Sequence, residues 1–274
     1  MNRRTIFFVS DQTGVTAETL GHSLLTQFDG EEFNQVTLPF IDSVDKADAA
    51  VQQINAVAQE EDARPIIFST LVQDHLRERF LPASGLFLDF FETFLNPLER
   101  ELQVKSNLTM GKAHGLGDAR KYDRRIEATN FVLDNDDGAR IRDYDRADII
   151  LIGVSRTGKT PTCLYLALSY GVFAANYPLS EDQLESGALP PILEKHRRKL
   201  YGLTIAADRL QQIRKERRAL GRYASIQQVS YEIRAAESLY RRHQISYVDT
   251  TESSIEEIAS TILDSTGIER RVRP

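Results

Sequence analysis

The chain has no tryptophan and a single cysteine, Cys163, in 274 residues. One cysteine can form neither an internal disulfide nor a cysteine-based metal cluster. It falls on the apolar side of an expected helix, where it reads as a packing residue. Histidines are also few, and His22, His75, His196 and His243 stand in no ligand spacing, so a zinc site finds no support. No apolar run approaches the ~20 residues of a membrane span. The start, from Met1 to Val9, has the basic-then-apolar order of a leader only briefly, and meets Asp11 almost at once. A cytoplasmic protein with no membrane partner is expected. Internal repeats and low-complexity segments are not evident.

Charge is unevenly spread. The net charge is −6, but residues 195–242 hold 13 Lys and Arg against 4 Asp and Glu, which makes that segment +9 and the remainder −15. The segment lacks interleaved aromatics and any nucleic-acid motif, so nucleic acid is not expected as a partner. Arginines that clamp a nucleotide, a basic face for an acidic protein, or a solvated helix face are the alternatives.

Strand and helix signals alternate in the first half. Strands are expected at 5–10, 35–41 and 65–69, and helices at 15–28, 44–59, 71–80, 85–104 and 122–133. The first helix places Leu20, Leu24 and Leu25 on one face. The second half reads as strands at 147–152, 174–179, 200–205 and 246–251, with helices at 161–168, 208–218 and 254–263. Ser254 and Glu257 form a capping box for the last helix. Such alternation implies an α/β fold with mainly parallel sheet. Two domains are expected: an N-terminal α/β domain over 1–145, and a P-loop kinase-like α/β domain over 146–274.

Residues 153–160 read Gly153-Val154-Ser155-Arg156-Thr157-Gly158-Lys159-Thr160, a complete G-x-x-x-x-G-K-[ST] phosphate-binding loop. An apolar strand precedes it and a helix follows, the context this motif requires. The glycines admit a backbone curve around phosphate. Loop N–H groups and the helix N-terminus supply an anion site. Lys159 is expected to reach the terminal phosphates and Thr160 to hold Mg²⁺. The same pattern in a glycine turn that binds nothing is the bland alternative.

Other candidates carry two readings each. Asp11, in Ser10-Asp11-Gln12-Thr13-Gly14, is either a helix cap or a base or metal ligand beside a second anion site at Thr13 and Gly14. His114 is either an exposed loop histidine or a phosphate or proton ligand. Asp136 and Asp137 are either a polar turn or Mg²⁺ ligands. The helix at 208–218 resembles the lid of small P-loop kinases, which puts forward Arg209, Arg214, Arg217 and Arg218. Helical spacing prevents all four from facing one ligand. The terminal Asp249-Thr250-Thr251 resembles the segment near the base in those kinases. A Walker-B aspartate is not evident.

The chain closely resembles the bacterial phosphoenolpyruvate synthase regulatory proteins, which are related to the regulators of pyruvate, phosphate dikinase. The likeness runs through SDQTGVTAETLGHSLLTQF at 10–28, HGL at 114–116, KYDRRIEATNFVLDNDDG at 121–138, GVSRTGKTPTCLYLA at 153–167, RLQQIRKERR at 209–218 and RYAS at 222–225. AANYPL at 174–179 resembles the synthase branch more than the dikinase branch, and Gln12 departs from the usual Ser or Gly. The resemblance implies ADP as phosphoryl donor to a threonine of phosphoenolpyruvate synthase. It also implies inorganic phosphate as co-substrate of the opposing reaction, with pyrophosphate released. Lys159, Arg217 and Arg218 would then neutralise phosphate charge, with Asp11 as first choice for the base. A homodimer is left open. The competing readings are a small-molecule P-loop kinase and a non-enzymatic nucleotide sensor.

Overall fold

The structure is a computed structural model and describes residues 4–61, 63–109, 119–217 and 221–272. The chain divides into two compact units, Met1–Gly117 and Asp118–Pro274.

The first unit runs β1 (Arg4–Val9), α1 (Val15–Leu25), β2 (Phe33–Leu38), α2 (Val44–Glu60), β3 (Ile66–Ser69), α3 (Asp74–Arg77), β4 (Leu86–Asp89) and α4 (Phe90–Leu102). Its strands are parallel in the order β2-β1-β3-β4. Parallel sheets are covered on both faces, and β1 shows why its sequence is continuously apolar. Ile6 and Phe8 point into a cluster with Ala17, Leu25, Phe68 and Phe90, while Phe7 and Val9 join Ile41, Ala47, Ile54 and Leu71 on the other face.

Two expectations fail here. Helix α1 buries Ala17, Gly21 and Leu25, whereas Leu20 and Leu24 are exposed. The cause is close packing: a Cβ on Gly21 would stand 2.5 Å from Phe8 and 2.7 Å from Phe68. The small-residue stripe lets the helix lie directly on those rings. The helix expected at 85–104 is instead a strand followed without a turn by a helix. Leu86–Asp89 pairs with the open edge of β3, and Asp89 then caps α4 by accepting the Glu92 N–H at 2.7 Å. An apolar run this short fits either state locally, and sheet pairing decides it.

The second unit runs α5 (Ala119–Asp134), β5 (Ile149–Gly153), α6 (Lys159–Tyr170), β6 (Ala174–Pro178), α7 (Glu181–Ser186), α8 (Pro191–Lys195), β7 (Leu200–Thr204), α9 (Ala207–Arg217), α10 (Ile226–His243), β8 (Tyr247–Asp249) and α11 (Ile255–Thr266). Its parallel strands lie in the order β6-β5-β7-β8. Counted within each unit, both sheets therefore have the order 2-1-3-4, a repeat that the sequence does not display. The domain boundary also moves from 145 to 117/118. Helix α5 belongs to the second unit because Phe131 stacks on Phe173 at 4.9 Å and Arg124 lies 4.1 Å over the same ring.

Helix α10 has no counterpart in the sequence reading. Ser225 caps it, and Tyr240 donates from its buried face to the carbonyls of Ile152 and Leu203 at 3.1 and 3.2 Å. Ser254 and Glu257 do form the capping box of α11. Cys163 is buried in the core of this unit. Among the described residues no helix is long and apolar enough to cross a membrane.

Candidate active site

Strand β5, buried along its whole length, delivers the glycine loop to the carboxyl edge of the second sheet. The two glycines serve different purposes. A Cβ on Gly153 would stand 2.8 Å from the Leu203 carbonyl and 3.0 Å from Thr157 Oγ1, so that position is closed by packing. Gly158 faces open space but has φ 87°, the left-handed region that glycine enters freely. It starts α6 with no side-chain cap, which leaves N–H groups of the first turn for an anion. Arg156 also has positive φ, at 78°.

Lys159 is buried, and its Nζ donates to the Val154 carbonyl at 2.9 Å. Burial pushes its ammonium down to about 8, against the pull of the Asp137 and Asp136 carboxylates. Thr157 turns its hydroxyl to the same carbonyl at 3.1 Å. Thr250 lies against the loop from the end of β8, with Oγ1 3.4 Å from the Thr157 carbonyl.

The acidic pair at 136 and 137 completes the arrangement. Thr160 donates its hydroxyl to Asp136 Oδ1 at 2.8 Å. Asn176 on β6, fully buried, donates to the same Asp136 oxygen and accepts the Asp137 N–H at 3.0 Å. The amide thus clamps the turn that follows α5. Asp137, with φ 47°, lines a cleft of about 520 Å³ with Arg156, Gly158, Lys159, Thr160 and Arg217. In the sequence these aspartates are equally a polar turn or Mg²⁺ ligands, and nothing local puts them ahead of Asp11. The available signal was the carboxylate pair itself; its direct link to Thr160 spans 24 residues and is made only in the folded chain. The Thr160 hydroxyl and Asp136 carboxylate are the hard oxygen donors that Mg²⁺ prefers. Among the described residues no group of three His, Cys, Asp or Glu could hold a metal by itself.

The four lid arginines separate. Arg217 reaches the cleft. Arg209 is exposed and pairs with Gln212 at 3.1 Å. Arg214 points inward and is fully buried. Arg218 lies outside the described residues, as does His114.

Asp11 belongs to the first unit and is not a helix cap. Gly14 begins α1 with φ 86° and no side-chain cap. Asp11 Oδ2 instead accepts the Val72 N–H at 3.1 Å, tying the end of β1 to the loop after β3. Its carboxyl is raised above the ordinary value because burial outweighs that hydrogen bond. Thr13-Gly14-Val15-Thr16 occupies the place in the first unit that Thr157-Gly158-Lys159-Thr160 occupies in the second. Val15 stands where the lysine would be, so the first loop lacks that cation.

Fold and site together define the class: a two-unit parallel α/β protein with a glycine-loop cleft carrying Lys159, Thr160, Asp137 and Arg217. The family described as kinase/pyrophosphorylase matches residues 6–263, and the chain belongs to it. A relative from Ectopseudomonas mendocina (strain ymp), 55% identical over 99% of this chain and 100% of its own, carries the name "Putative phosphoenolpyruvate synthase regulatory protein". Relatives of the same name from Pseudomonas putida (strain W619) and Pseudomonas aeruginosa (strain LESB58) are 54% and 53% identical. Each match covers 99% of this chain, and 100% and 99% of the relative.

Proposed function

We propose that this chain regulates phosphoenolpyruvate synthase by reversible phosphorylation of a threonine, with ADP as donor in one direction and inorganic phosphate as acceptor in the other. The observation that carries the reading is the cleft in which Lys159, Thr160, Arg217 and Asp137 meet over the glycine loop. The names of the full-length relatives supply the target.

In the forward direction the threonine oxygen attacks the β-phosphorus of ADP, the bond to the bridging oxygen breaks, and AMP leaves. Asp137 is the carboxylate at the cleft, and it takes the threonine proton. Loop N–H groups hold the phosphate, while Lys159 and Arg217 balance charge on its oxygens. Thr160 and Asp136 would hold Mg²⁺, which supplies further charge neutralisation when bound. In the opposing direction an oxygen of hydrogen phosphate attacks the phosphothreonine phosphorus, the bond to the threonine oxygen breaks, and pyrophosphate forms. Asp137 passes the proton of the attacking phosphate to the departing threonine oxygen. Asp137 replaces Asp11 as the proposed base because it shares a cleft with Lys159.

The test uses [β-³²P]ADP and purified synthase. Label is expected on the synthase, and its removal is expected to require inorganic phosphate and to yield pyrophosphate. Lys159→Ala should lower both rates by about 100- to 1,000-fold. Label passing to a small metabolite, or removal that proceeds equally well without phosphate, would refute the proposal.

A further inference from the structure

Arg214 is the largest fully buried side chain among the described residues. A guanidinium is seldom placed so deep without specific partners. Its Nη2 donates to the Ser155 carbonyl of the glycine loop at 3.1 Å and to Glu232 of α10 at 2.6 Å. Its Nη1 donates to the Tyr223 carbonyl at 2.9 Å, and the guanidinium lies 4.2 Å over the Tyr223 ring. The Tyr223 hydroxyl in turn meets Ser155 Oγ at 2.9 Å. One side chain on α9 therefore joins the loop, the turn after α9 and helix α10.

The consequence lies in a single peptide plane. The Ser155 carbonyl and the Arg156 N–H belong to the same planar trans unit and point in opposite directions. Drawing the carbonyl toward Arg214 turns that N–H away from it. Arg156 also holds a left-handed conformation that a non-glycine residue adopts only when its surroundings enforce it. Arg217, which lines the cleft, lies three residues beyond Arg214 on the same helix.

We propose that Arg214 is a positioning residue for phosphoryl transfer: it sets the Ser155–Arg156 peptide of the loop and carries Arg217 to the rim of the cleft. The inference rests on the reading of 153–160 as the phosphate site. Glu232 supports it by fixing the guanidinium from α10, and Gln228 steadies Glu232 with a bond of 3.0 Å to its other oxygen. Lysine carries the charge but cannot span three acceptors with a planar fork.

The experiment compares full-length wild type with Arg214→Met, Arg214→Lys and Glu232→Gln. It measures kcat and KM for ADP-dependent phosphorylation of the synthase, each corrected for folded fraction by circular dichroism. Displacing reacting groups by about 1 Å costs on the order of 100-fold in rate, so Arg214→Met should lose about that much in kcat. KM for the synthase should change little. Arg214→Lys should recover part of the loss, and Glu232→Gln should show a smaller one. A purely structural role would lower the folded fraction while leaving kcat per folded molecule unchanged. If Arg214→Met does not fold, Arg214→Lys decides. Wild-type kcat in folded Arg214→Lys and Glu232→Gln overturns the inference. A wild type that transfers no label from ADP overturns the functional reading itself.

Discussion

Lys159 sits under opposed influences, and its charge is the quantity that matters. Desolvation brings its ammonium down to about 8, so the charged form gives way to the neutral one as pH rises through that value. A bound phosphate favours the charged form. Binding of ADP is therefore expected to take up a proton near pH 8, and affinity is expected to fall as pH rises past that value. Calorimetry in buffers of different ionisation enthalpy measures both, and an affinity that stays flat through this range would show that the lysine does not meet the phosphate. Asp137 offers a second test. Asparagine tolerates its left-handed backbone, so Asp137→Asn should fold normally and bind ADP. Without the carboxylate the transfer rate should drop by about 100- to 10,000-fold. Normal transfer by this variant would remove Asp137 from the mechanism. For Asp11 the expectation concerns stability. Asp11→Ala would leave the buried Val72 N–H without its acceptor, at a cost of about 1–3 kcal/mol in urea unfolding. Asp11→Asn keeps an acceptor oxygen, so equal midpoints for the two variants would contradict this account.

At the scale of elements, close approach overrides local pattern. The leucines of α1 mark a plausible apolar face, yet Ala17 and Gly21 face the sheet because they admit Phe8 and Phe68. Gly21→Ala is a sharp test. At an open helical position alanine would gain about 0.5–1 kcal/mol over glycine. Here its Cβ falls well inside contact distance of two buried rings, so the variant should be less stable by about 1–3 kcal/mol. Chemical denaturation decides between the two signs. Strand β4 makes the same point. Nothing in Leu86-Phe87-Leu88 distinguishes strand from helix, and the deciding partner is β3, some 20 residues earlier. Helix α10 is illegible in the sequence for a different reason: its arginines and glutamates dilute an apolar stripe formed by Val229, Ile233, Ala236, Leu239 and Tyr240.

For the whole molecule, the two units have separate cores and the same strand order. All the residues that line the glycine-loop cleft lie in the second unit. The fragment 118–274 is therefore expected to melt cooperatively on its own and to bind ADP with an affinity close to that of the full chain. Circular dichroism and calorimetry on the isolated fragment test this. A fragment that folds but fails to bind would place part of the nucleotide site in the first unit.

The sequence by itself determined the features whose physics is local. The loop at 153–160 is one: its left-handed glycine, its lysine and its threonine are contiguous, and the strand and helix beside it are legible from a few residues each. The capping box of α11 is another, since Ser254 and Glu257 need only a single turn to find each other. Tertiary structure alone decided what the loop meets. Asn176, on a strand that follows the loop, holds both aspartates, Asp137 lining the cleft and Asp136 bonded to Thr160. Arg214 and Arg217 differ by one helical turn, and only packing turns the first inward and the second toward the cleft. The shared strand order left no visible repeat because a parallel sheet asks only for apolar runs and crossovers, which many unrelated sequences satisfy.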